Sequence, residues 1–116
     1  MGFEDLTVWK KGARLSVAIY KELAGLRDFG FKDQVTRSGL SIPSNIAEGM
    51  ERRTWKDRNR FLEMARGSCA ELRAQLYIGL ATGHIRGEVG KRWIRETREI
   101  SAMLVGLSKS RGSEGE

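Results

Sequence analysis

The chain has 116 residues with one proline, 40% hydrophobic and 31% charged residues, and a formal net charge of +6. This length allows one domain with one core, and the composition fits a helical protein better than a disordered chain or a β-sandwich, which needs many turns. No apolar run is long enough to cross a bilayer, and one cysteine cannot form a disulfide within the chain, so we expect a cytoplasmic protein.

Helix one is predicted over residues 5–26, with Asp5 as its N-cap, because apolar residues recur there every three or four positions. One stripe contains Leu6, Trp9, Ala13, Val17, Tyr20 and Leu23. A second stripe contains Val8, Leu15, Ile19 and Leu26. Two stripes widen the apolar surface beyond one seam, so this helix should contact neighbours on two sides.

Helix two is predicted over residues 32–50, after a break at Gly30, which can adopt a positive φ. It contains the segment SIPSNIAEG, residues 41–49. Pro43 cannot donate to the carbonyl of residue 39, which predicts a kink or a restart of the helix there. The side chains of Ser41 and Asn45 can satisfy the backbone groups that the proline frees. Gly49 then allows the helix to end.

Helix three is predicted over residues 54–82, because the hydroxyl of Thr54 can accept a hydrogen bond from the amide of Asp57. Helix four follows over residues 88–108, and residues 109–116 are predicted to be a flexible tail of a single domain, 1–108. Four amphipathic helices joined by short loops indicate an all-α fold, an antiparallel up-down-up-down four-helix bundle. Five glycines inside the predicted helices favour close helix packing: Gly12, Gly39, Gly67, Gly79 and Gly106.

The segment ERRTWKDRNR, residues 51–60, is a basic corner between helices two and three, with an excess of three positive charges. Its nucleic-acid-binding candidates are Arg52, Arg53, Trp55, Lys56, Arg58 and Arg60. A tryptophan among arginines can stack on a base while the cations bind phosphate, so this corner is a candidate site for RNA or DNA. The alternative is that Trp55 packs against a neighbouring helix or subunit and the cations are solvated.

Helix four carries a second group of cations, Lys91, Arg95 and Arg98, on one face, and this face could follow a phosphate backbone. The spacing also permits intrahelical ion pairs, which would leave only a solvated face. These pairs are Glu88 with Arg92, Arg92 with Glu96, and Arg95 with Glu99.

An enzyme is not expected. One histidine and one cysteine cannot supply the clustered ligands of a catalytic metal, so we predict neither a metal site nor a cofactor. His84 lies in a loop and should be solvated, and Cys69 falls on the apolar side of helix three, where a buried thiol is expected. Glu48 and Glu71 are expected to form partly buried ion pairs with Arg37, Arg66 or Arg73, and we assign no catalytic residue.

Three segments carry a resemblance to a known family: FEDLTVWKKG at 3–12, SIPSNIAEG at 41–49 with Arg53 after it, and FLEMARGSCAELRAQL at 61–76. They resemble the four-helix-bundle family encoded in intervening sequences of 23S ribosomal RNA genes. That family is similar to the accessory variability proteins of diversity-generating retroelements. The resemblance covers about residues 3–107.

The resemblance implies a left-handed bundle that assembles as a homopentamer and has no established enzymatic activity. Accessory proteins of this kind bind a reverse transcriptase and nucleic acid through a positively charged surface. We therefore expect an oligomeric module that binds RNA or DNA. The alternative is a scaffold that docks a protein partner such as a reverse transcriptase. The tryptophans Trp9, Trp55 and Trp93 are candidates for contacts either within or between subunits.

Overall fold

Four α-helices form the protein in a computed structural model that describes the backbone of residues 2–112 and the side chains up to residue 109. After a 3₁₀ turn at Phe3–Asp5, the helices are α1 (Thr7–Glu22), α2 (Phe29–Met50), α3 (Trp55–Thr82) and α4 (Gly87–Gly112). The helices pack against one another, and residues 2–112 contain no strand. The predicted all-α four-helix fold is confirmed.

Neighbouring helices run in opposite directions, because contact positions rise along one helix as they fall along the next. The contacting pairs are Gly12 with Ile42 and Ile19 with Gly39 between α1 and α2, Phe31 with Gly79 and Ser41 with Ser68 between α2 and α3, and Leu80 with Gly90 and Tyr77 with Arg98 between α3 and α4. The bundle is elongated, with extents of 48 × 20 × 19 Å. No helix within the described residues is long and apolar enough to span a membrane.

The core consists of apolar residues at helical spacing on all four helices. Ile42, Ile46, Leu72 and Leu76 are fully buried, and so is Leu104. Burial of such a side chain contributes about 1.5–3 kcal/mol to the free energy of folding, so these residues stabilise the packing of the helices.

Helix α1 turns a different face to the core than its longer stripe suggests. Val8, Leu15 and Ile19, from the second stripe, are buried, whereas Val17 and Tyr20 are exposed by 52% and 48%. The longer stripe therefore faces outward only at Val17 and Tyr20, while Leu6 and Trp9 pack against the core and Leu23 is buried. Spacing identifies a helix face but not which of two apolar faces meets the core.

The connection between α1 and α2 differs from the prediction at both of its ends. Helix α1 ends at Glu22 rather than near residue 26, and α2 begins at Phe29 rather than at 32. Asp28 is the reason for the early start, because its carboxylate accepts a hydrogen bond from the amide of Phe31 at 3.0 Å and caps α2. Gly30 lies inside the helix, so the expected positive φ there is wrong.

The last helix is longer than predicted, since α4 continues to Gly112. Residues 109–112 of the predicted tail are therefore helical. Residues 113–116 of that tail lie outside the described part of the chain. Between α3 and α4, Gly83 ends α3 with a φ of 78°, a left-handed conformation that glycine adopts without strain.

Pro43 lies inside α2, and the helix does not restart there. The amide of Asn45 donates to the carbonyl oxygen and to Oγ of Ser41, both at 2.9 Å, and Oγ of Ser41 lies 2.7 Å from Oγ of Ser68 on α3. Asn45 thus binds the carbonyl of residue 41 rather than the one at residue 39 that the proline frees. The hydrogen bond between Ser41 and Ser68 therefore connects the SIPSNIAEG segment of α2 to α3.

Glycines allow close approach at three of the five predicted positions. A Cβ at Gly12 would lie 3.2 Å from Ile42, one at Gly39 would lie 3.0 Å from Ile19, and one at Gly79 would collide with Ile85. Around Gly67 and Gly106 no atom of another helix lies within 4 Å of such a Cβ, so the packing role predicted for these two glycines is wrong.

Candidate nucleic-acid interface

The basic corner begins with a short connection between α2 and α3, residues 51–54, and continues into the first turns of α3. The amide of Arg52 donates to the carbonyl of Gly49 at 3.1 Å, which closes the last turn of α2. Thr54 Oγ1 then accepts from the amide of Asp57 at 3.1 Å and starts α3, as the sequence predicts. The short connection places the cations of residues 52–60 together at one end of the bundle.

Gly49 is required at this corner for a steric reason. A Cβ there would lie 2.9 Å from Cβ of Phe61 and 3.1 Å from the carbonyl oxygen of Arg58. Two atoms this close leave no room for a side chain, and the carbonyl belongs to the backbone and cannot rotate away. The absence of a side chain at residue 49 lets the first turns of α3 lie against the end of α2.

Three arginines of the corner lie over aromatic rings. The guanidinium carbons of Arg52 and Arg60 lie 4.6 and 4.8 Å from the centre of the Phe61 ring, and that of Arg58 lies 5.4 Å from the Trp55 ring. A cation over an aromatic face is held by the ring quadrupole and keeps its full charge. These contacts orient the arginines, and two of the three also pair with carboxylates, Arg52 with Glu48 and Arg60 with Asp57 at 3.7 Å.

Trp55 itself is half-buried against the core, with the guanidinium of Arg58 near its ring. Trp55 thus packs against the core of its own subunit, which is the alternative to stacking on a base. Because its ring already contacts Arg58 of the same chain, Trp55 is a poorer candidate for stacking on a base.

The corner cations differ in exposure. Arg52 and Arg58 are half-buried, and Arg52 also pairs with Glu48 on the preceding turn. Arg53, Lys56 and Arg60 are exposed. Because solvent-exposed cations can approach a phosphate without losing packing, these three are the side chains of the corner best placed to bind an anion.

The acidic residues predicted to form buried pairs do not do so. Glu48 is exposed and pairs with Arg52 instead of Arg37, Arg66 or Arg73. Glu71 is exposed as well. Both predictions placed these carboxylates too close to the core, because a residue next to an apolar stripe can still point into solvent.

The helix-four candidates Lys91, Arg95 and Arg98 are exposed, and Arg98 donates to the hydroxyl of Tyr77 at 3.1 Å. Tyr77 lies 17 positions after Arg60 on α3, which corresponds to about 25 Å along the bundle. The corner and the helix-four cations are therefore separate surfaces.

The intrahelical pairs predicted for α4 are replaced by contacts to other elements. Glu99 pairs with Lys11 of α1 at 2.9 Å, and Glu88 lies 4.0 Å from Arg86 in the preceding loop. Glutamates on α4 thus neutralise cations elsewhere rather than those on their own helix. Correct spacing permits a pair but does not select it over a neighbouring helix.

A third basic surface, which was not predicted, lies between α1 and α4. It is a shallow groove lined by Lys11, Arg14, Ala18, Arg92, Trp93 and Glu96. The signal for it is the spacing of Lys10, Arg14 and Lys21, which share the side of α1 opposite its buried stripe. Glu96 and Glu99 lie on the same side, so its net charge is lower than that of the corner.

At the opposite end of the bundle, Arg86 and His84 lie against carboxylates. Arg86 donates to both oxygens of Glu22 at 2.8 and 3.2 Å, and Nε2 of His84 lies 3.0 Å from Oδ2 of Asp28. The hydrogen bonds from Arg86 lower the pKa of Glu22, and the amide of Phe31, followed by His84, lowers the pKa of Asp28. The solvated histidine that the sequence suggests instead joins two loops.

The described side chains contain neither a metal-ligand cluster nor a reactive thiol. No three His, Cys, Asp or Glu side chains there are grouped closely enough to hold a metal ion. Cys69 is fully buried, as predicted, and burial raises the pKa of its thiol to about 11. A thiol with this pKa is protonated at neutral pH and is a poor nucleophile.

Comparison with known proteins is consistent with this fold and names no activity. A family model described as 23S rRNA-intervening sequence protein matches residues 4–106. A solved structure, titled a protein with unknown function from the S23 ribosomal protein family of Bacteroides thetaiotaomicron, superposes with a TM-score of 0.83 at 27% identity. The match covers 89% of this chain and 99% of that chain. No curated protein matches by sequence.

Proposed function

This chain belongs to the 23S rRNA-intervening sequence protein family, and we propose that it is a non-enzymatic, self-associating accessory protein that binds RNA or DNA. The binding surface in this proposal is the corner between α2 and α3. The helix-four cations Lys91, Arg95 and Arg98 contribute a weaker, separate contact. The proposal places the protein in the cytoplasm, in line with its cysteine content.

The observation that carries the proposal is the way in which the corner holds its arginines. Arg52, Arg58 and Arg60 lie over Phe61 or Trp55, so their charge is positioned by aromatic rings. A guanidinium held this way loses little conformational entropy when a phosphate arrives. Phosphates of the ligand would meet Arg53, Lys56 and Arg60 first, since these side chains are exposed.

Net charge supports the same conclusion over a longer range. The chain carries a formal charge of +6, and five copies at +6 each, the number that the family resemblance implies, would bring about +30 to one assembly. A field of this size accelerates the encounter with a polyanion and is screened by salt. Self-association would thus increase the affinity for a long nucleic acid by presenting several corners at once.

The proposal is tested by fluorescence anisotropy with a labelled RNA hairpin, the matching DNA duplex and the matching DNA single strand. We expect a Kd below about 10 μM for at least one of these at 50 mM salt, with affinity falling steeply towards 200 mM salt. The three ligands distinguish RNA from DNA and paired from unpaired strands. Affinity weaker than 10 μM for all three, or affinity that salt leaves unchanged, would contradict nucleic-acid binding.

A scaffold for a protein partner, such as a reverse transcriptase, is the second candidate. It is favoured by the exposed apolar side chains of Val17, Leu40 and Ile78, a type of surface that protein contacts bury. Affinity capture from host lysate treated with nuclease separates the two functions. A partner retained after nuclease treatment would support the scaffold, and one released by it would support nucleic-acid binding.

A further inference from the structure

Two arginines between α3 and α4 are held by neutral oxygen atoms rather than by carboxylates. Arg73 donates from Nη1 to Oγ1 of Thr97, and Arg98 donates from Nη2 to the hydroxyl of Tyr77, both at 3.1 Å. Among the described side chains, neither arginine has a carboxylate within ion-pair distance. Because a neutral acceptor orients a guanidinium and leaves its charge in place, both arginines can still attract an anion.

The two hydrogen bonds lie next to each other. Tyr77 follows Arg73 by one turn of α3, which is about 6 Å along the helix axis, and Thr97 directly precedes Arg98 on α4. Each bond crosses from one helix to the other, so both guanidinium groups lie over the same stretch of the boundary between α3 and α4. We call Arg73, Tyr77, Thr97 and Arg98 the α3–α4 cluster.

The glutamates of α4 do not face this cluster. Glu99 pairs with Lys11 of α1 at 2.9 Å, and Glu96 lines the groove between α1 and α4. Glu88 lies 4.0 Å from Arg86 in the loop that precedes the helix. The acidic side chains of α4 are thus turned towards α1 or towards the end of the bundle.

The acidic side chains of α3 are directed away from the cluster as well. Glu71 precedes Arg73 by two positions, and residues at this spacing do not share a helix face. Glu63 accepts two hydrogen bonds from Arg66, at 3.0 and 3.1 Å, and Asp57 lies still nearer the start of the helix. The two arginines therefore give the α3–α4 cluster a charge of +2 that no acidic side chain of α3 or α4 offsets directly.

Most donors of the cluster remain available to a ligand. A guanidinium has several N–H groups, and each arginine uses one of them in the hydrogen bond described above. The hydroxyl of Tyr77 accepts from Arg98, so its own proton can be donated, and Tyr77 is 51% exposed. Thr97 is fully buried and donates to the carbonyl of Ile94 at 2.7 Å, so it orients Arg73 without reaching a ligand.

We propose that the α3–α4 cluster binds a phosphate monoester, with Arg73 and Arg98 on its oxygens and the hydroxyl of Tyr77 as a third donor. A monoester is close to a dianion at neutral pH, so its charge matches that of the two guanidinium groups. An internal phosphodiester has a single negative charge and matches less well. The monoester belongs either to a mononucleotide or to the 5′ end of a nucleic-acid strand.

The probe is adenosine 5′-monophosphate, titrated into the full chain in a calorimeter, and adenosine is the matched ligand without a phosphate. At about pH 7.5 the phosphate is mostly dianionic, and about 50 mM salt screens the site only in part. We expect a Kd below about 1 mM for the monophosphate under these conditions. Adenosine should not bind at the same concentration, because the cluster contacts only the phosphate.

Four variants locate the site. Arg98→Gln removes one cation and should weaken binding of the monophosphate by about tenfold or more. Arg73→Lys keeps the second charge but removes its planar fork, and Tyr77→Phe removes the third donor, so each should weaken binding by about two- to tenfold. Arg37→Gln is the matched control, since it removes the charge of an exposed arginine on α2, and it should change the Kd by less than about twofold. Circular dichroism verifies that each variant is helical.

A second arm identifies the source of the phosphate. A short labelled DNA single strand with a 5′-phosphate is compared by fluorescence anisotropy with the same strand ending in a 5′-hydroxyl. A gain of about threefold or more from the 5′-phosphate that Arg98→Gln abolishes would assign the site to strand ends. Binding of the monophosphate without such a gain would assign it to a mononucleotide.

Two results would overturn the inference. One is that adenosine 5′-monophosphate binds no better than adenosine. The other is an equal loss in Arg98→Gln and Arg37→Gln, which would mean that only net charge attracts the phosphate. The site gives Arg98 a more specific ligand than the weak contact of the proposed function and does not require the corner to bind nucleic acid. Its failure would leave the corner to be decided separately by the hairpin and duplex measurements.

Discussion

The two ends of the bundle hold their arginines in different ways. At the corner between α2 and α3, arginines lie over Phe61 and Trp55. At the other end, Arg86 and His84 lie against the carboxylates of Glu22 and Asp28. An ion pair cancels the field that a cation projects, and an aromatic ring does not.

This difference shows that counting arginines is not enough to locate a polyanion site. Two arginines with similar exposure can differ in their partners: Arg86 donates two hydrogen bonds to Glu22, whereas Arg60 lies over the ring of Phe61 and has a carboxylate, that of Asp57, only at 3.7 Å. The partner of the guanidinium decides how far its charge is cancelled.

The largest effect is expected from Gly49→Ala, which removes the close approach on which the corner depends. The new Cβ would meet Phe61 at 2.9 Å and the carbonyl of Arg58 at 3.1 Å. We expect the free energy of unfolding, measured in urea, to fall by about 1–3 kcal/mol. Gly67→Ala is the matched control, because no atom of another helix lies within 4 Å of its Cβ. It should raise the same quantity by about 0.5–1 kcal/mol through helix propensity.

A smaller effect is expected when the charge of the corner is reversed. Arg53→Glu with Lys56→Glu should weaken binding of the anisotropy ligand by about tenfold or more at 50 mM salt. Lys91→Glu with Arg95→Glu changes the net charge by the same amount on α4 and should weaken binding by a smaller factor. Equal losses from the two double variants would show that only net charge matters and that the corner has no special role.

The pairs of Arg86 with Glu22 and of His84 with Asp28 predict that the free energy of unfolding falls at low pH. Because the pKa values of Glu22 and Asp28 are lowered by folding, from 4.5 and 3.8, both contribute fully above those values. The contribution is lost as pH falls below them, since protons then bind the unfolded chain first. Glu22→Gln with Asp28→Asn, which retains a capping oxygen at residue 28, should be less stable than the wild type at pH 7.

The same double variant should lose less stability on acidification. Its urea midpoint should approach that of the wild type as the pH falls through the lowered pKa values of Glu22 and Asp28, where the wild-type carboxylates become protonated as well. A gap between the two proteins that stays constant from pH 7 to pH 3 would mean that the pairs act by packing rather than by charge.

The smallest effect is expected from Arg52→Lys, which keeps the charge at the corner but removes the planar group over Phe61. Loss of this contact should lower the free energy of unfolding by about 0.5–1 kcal/mol. Binding of nucleic acid should change by less than it does in the double charge reversal of Arg53 and Lys56. A loss of affinity as large as in that variant would place Arg52 in direct contact with the ligand.

The sequence predicts the helices well because their signal is local and repeated. Apolar residues at a period of 3.6, such as Ile42, Ile46 and the pair Leu72 and Leu76, identify a buried face without knowledge of the neighbours. The cap at Thr54 is local in the same way, since donor and acceptor are three residues apart. The all-α fold therefore follows from short-range patterns.

What the sequence misses depends on residues that are distant along the chain. Glu22 and Arg86 are separated by 64 positions, so no spacing rule pairs them. The outward face of α1 is another case, because two apolar stripes compete and only the positions of α2 and α4 decide which one is buried. At the corner, composition indicates the cations, but the contact of each guanidinium with a ring needs the turn geometry that Gly49 permits.

The buried sulfur of Cys69 makes the chain convenient for spectroscopy. Since this is the one cysteine of the sequence and its thiol has a pKa of about 11, a maleimide dye at neutral pH will react far more slowly with it than with a cysteine engineered on the surface. A donor placed at the corner of one copy and an acceptor on another can then report intersubunit distances by energy transfer, with no need to remove the native residue.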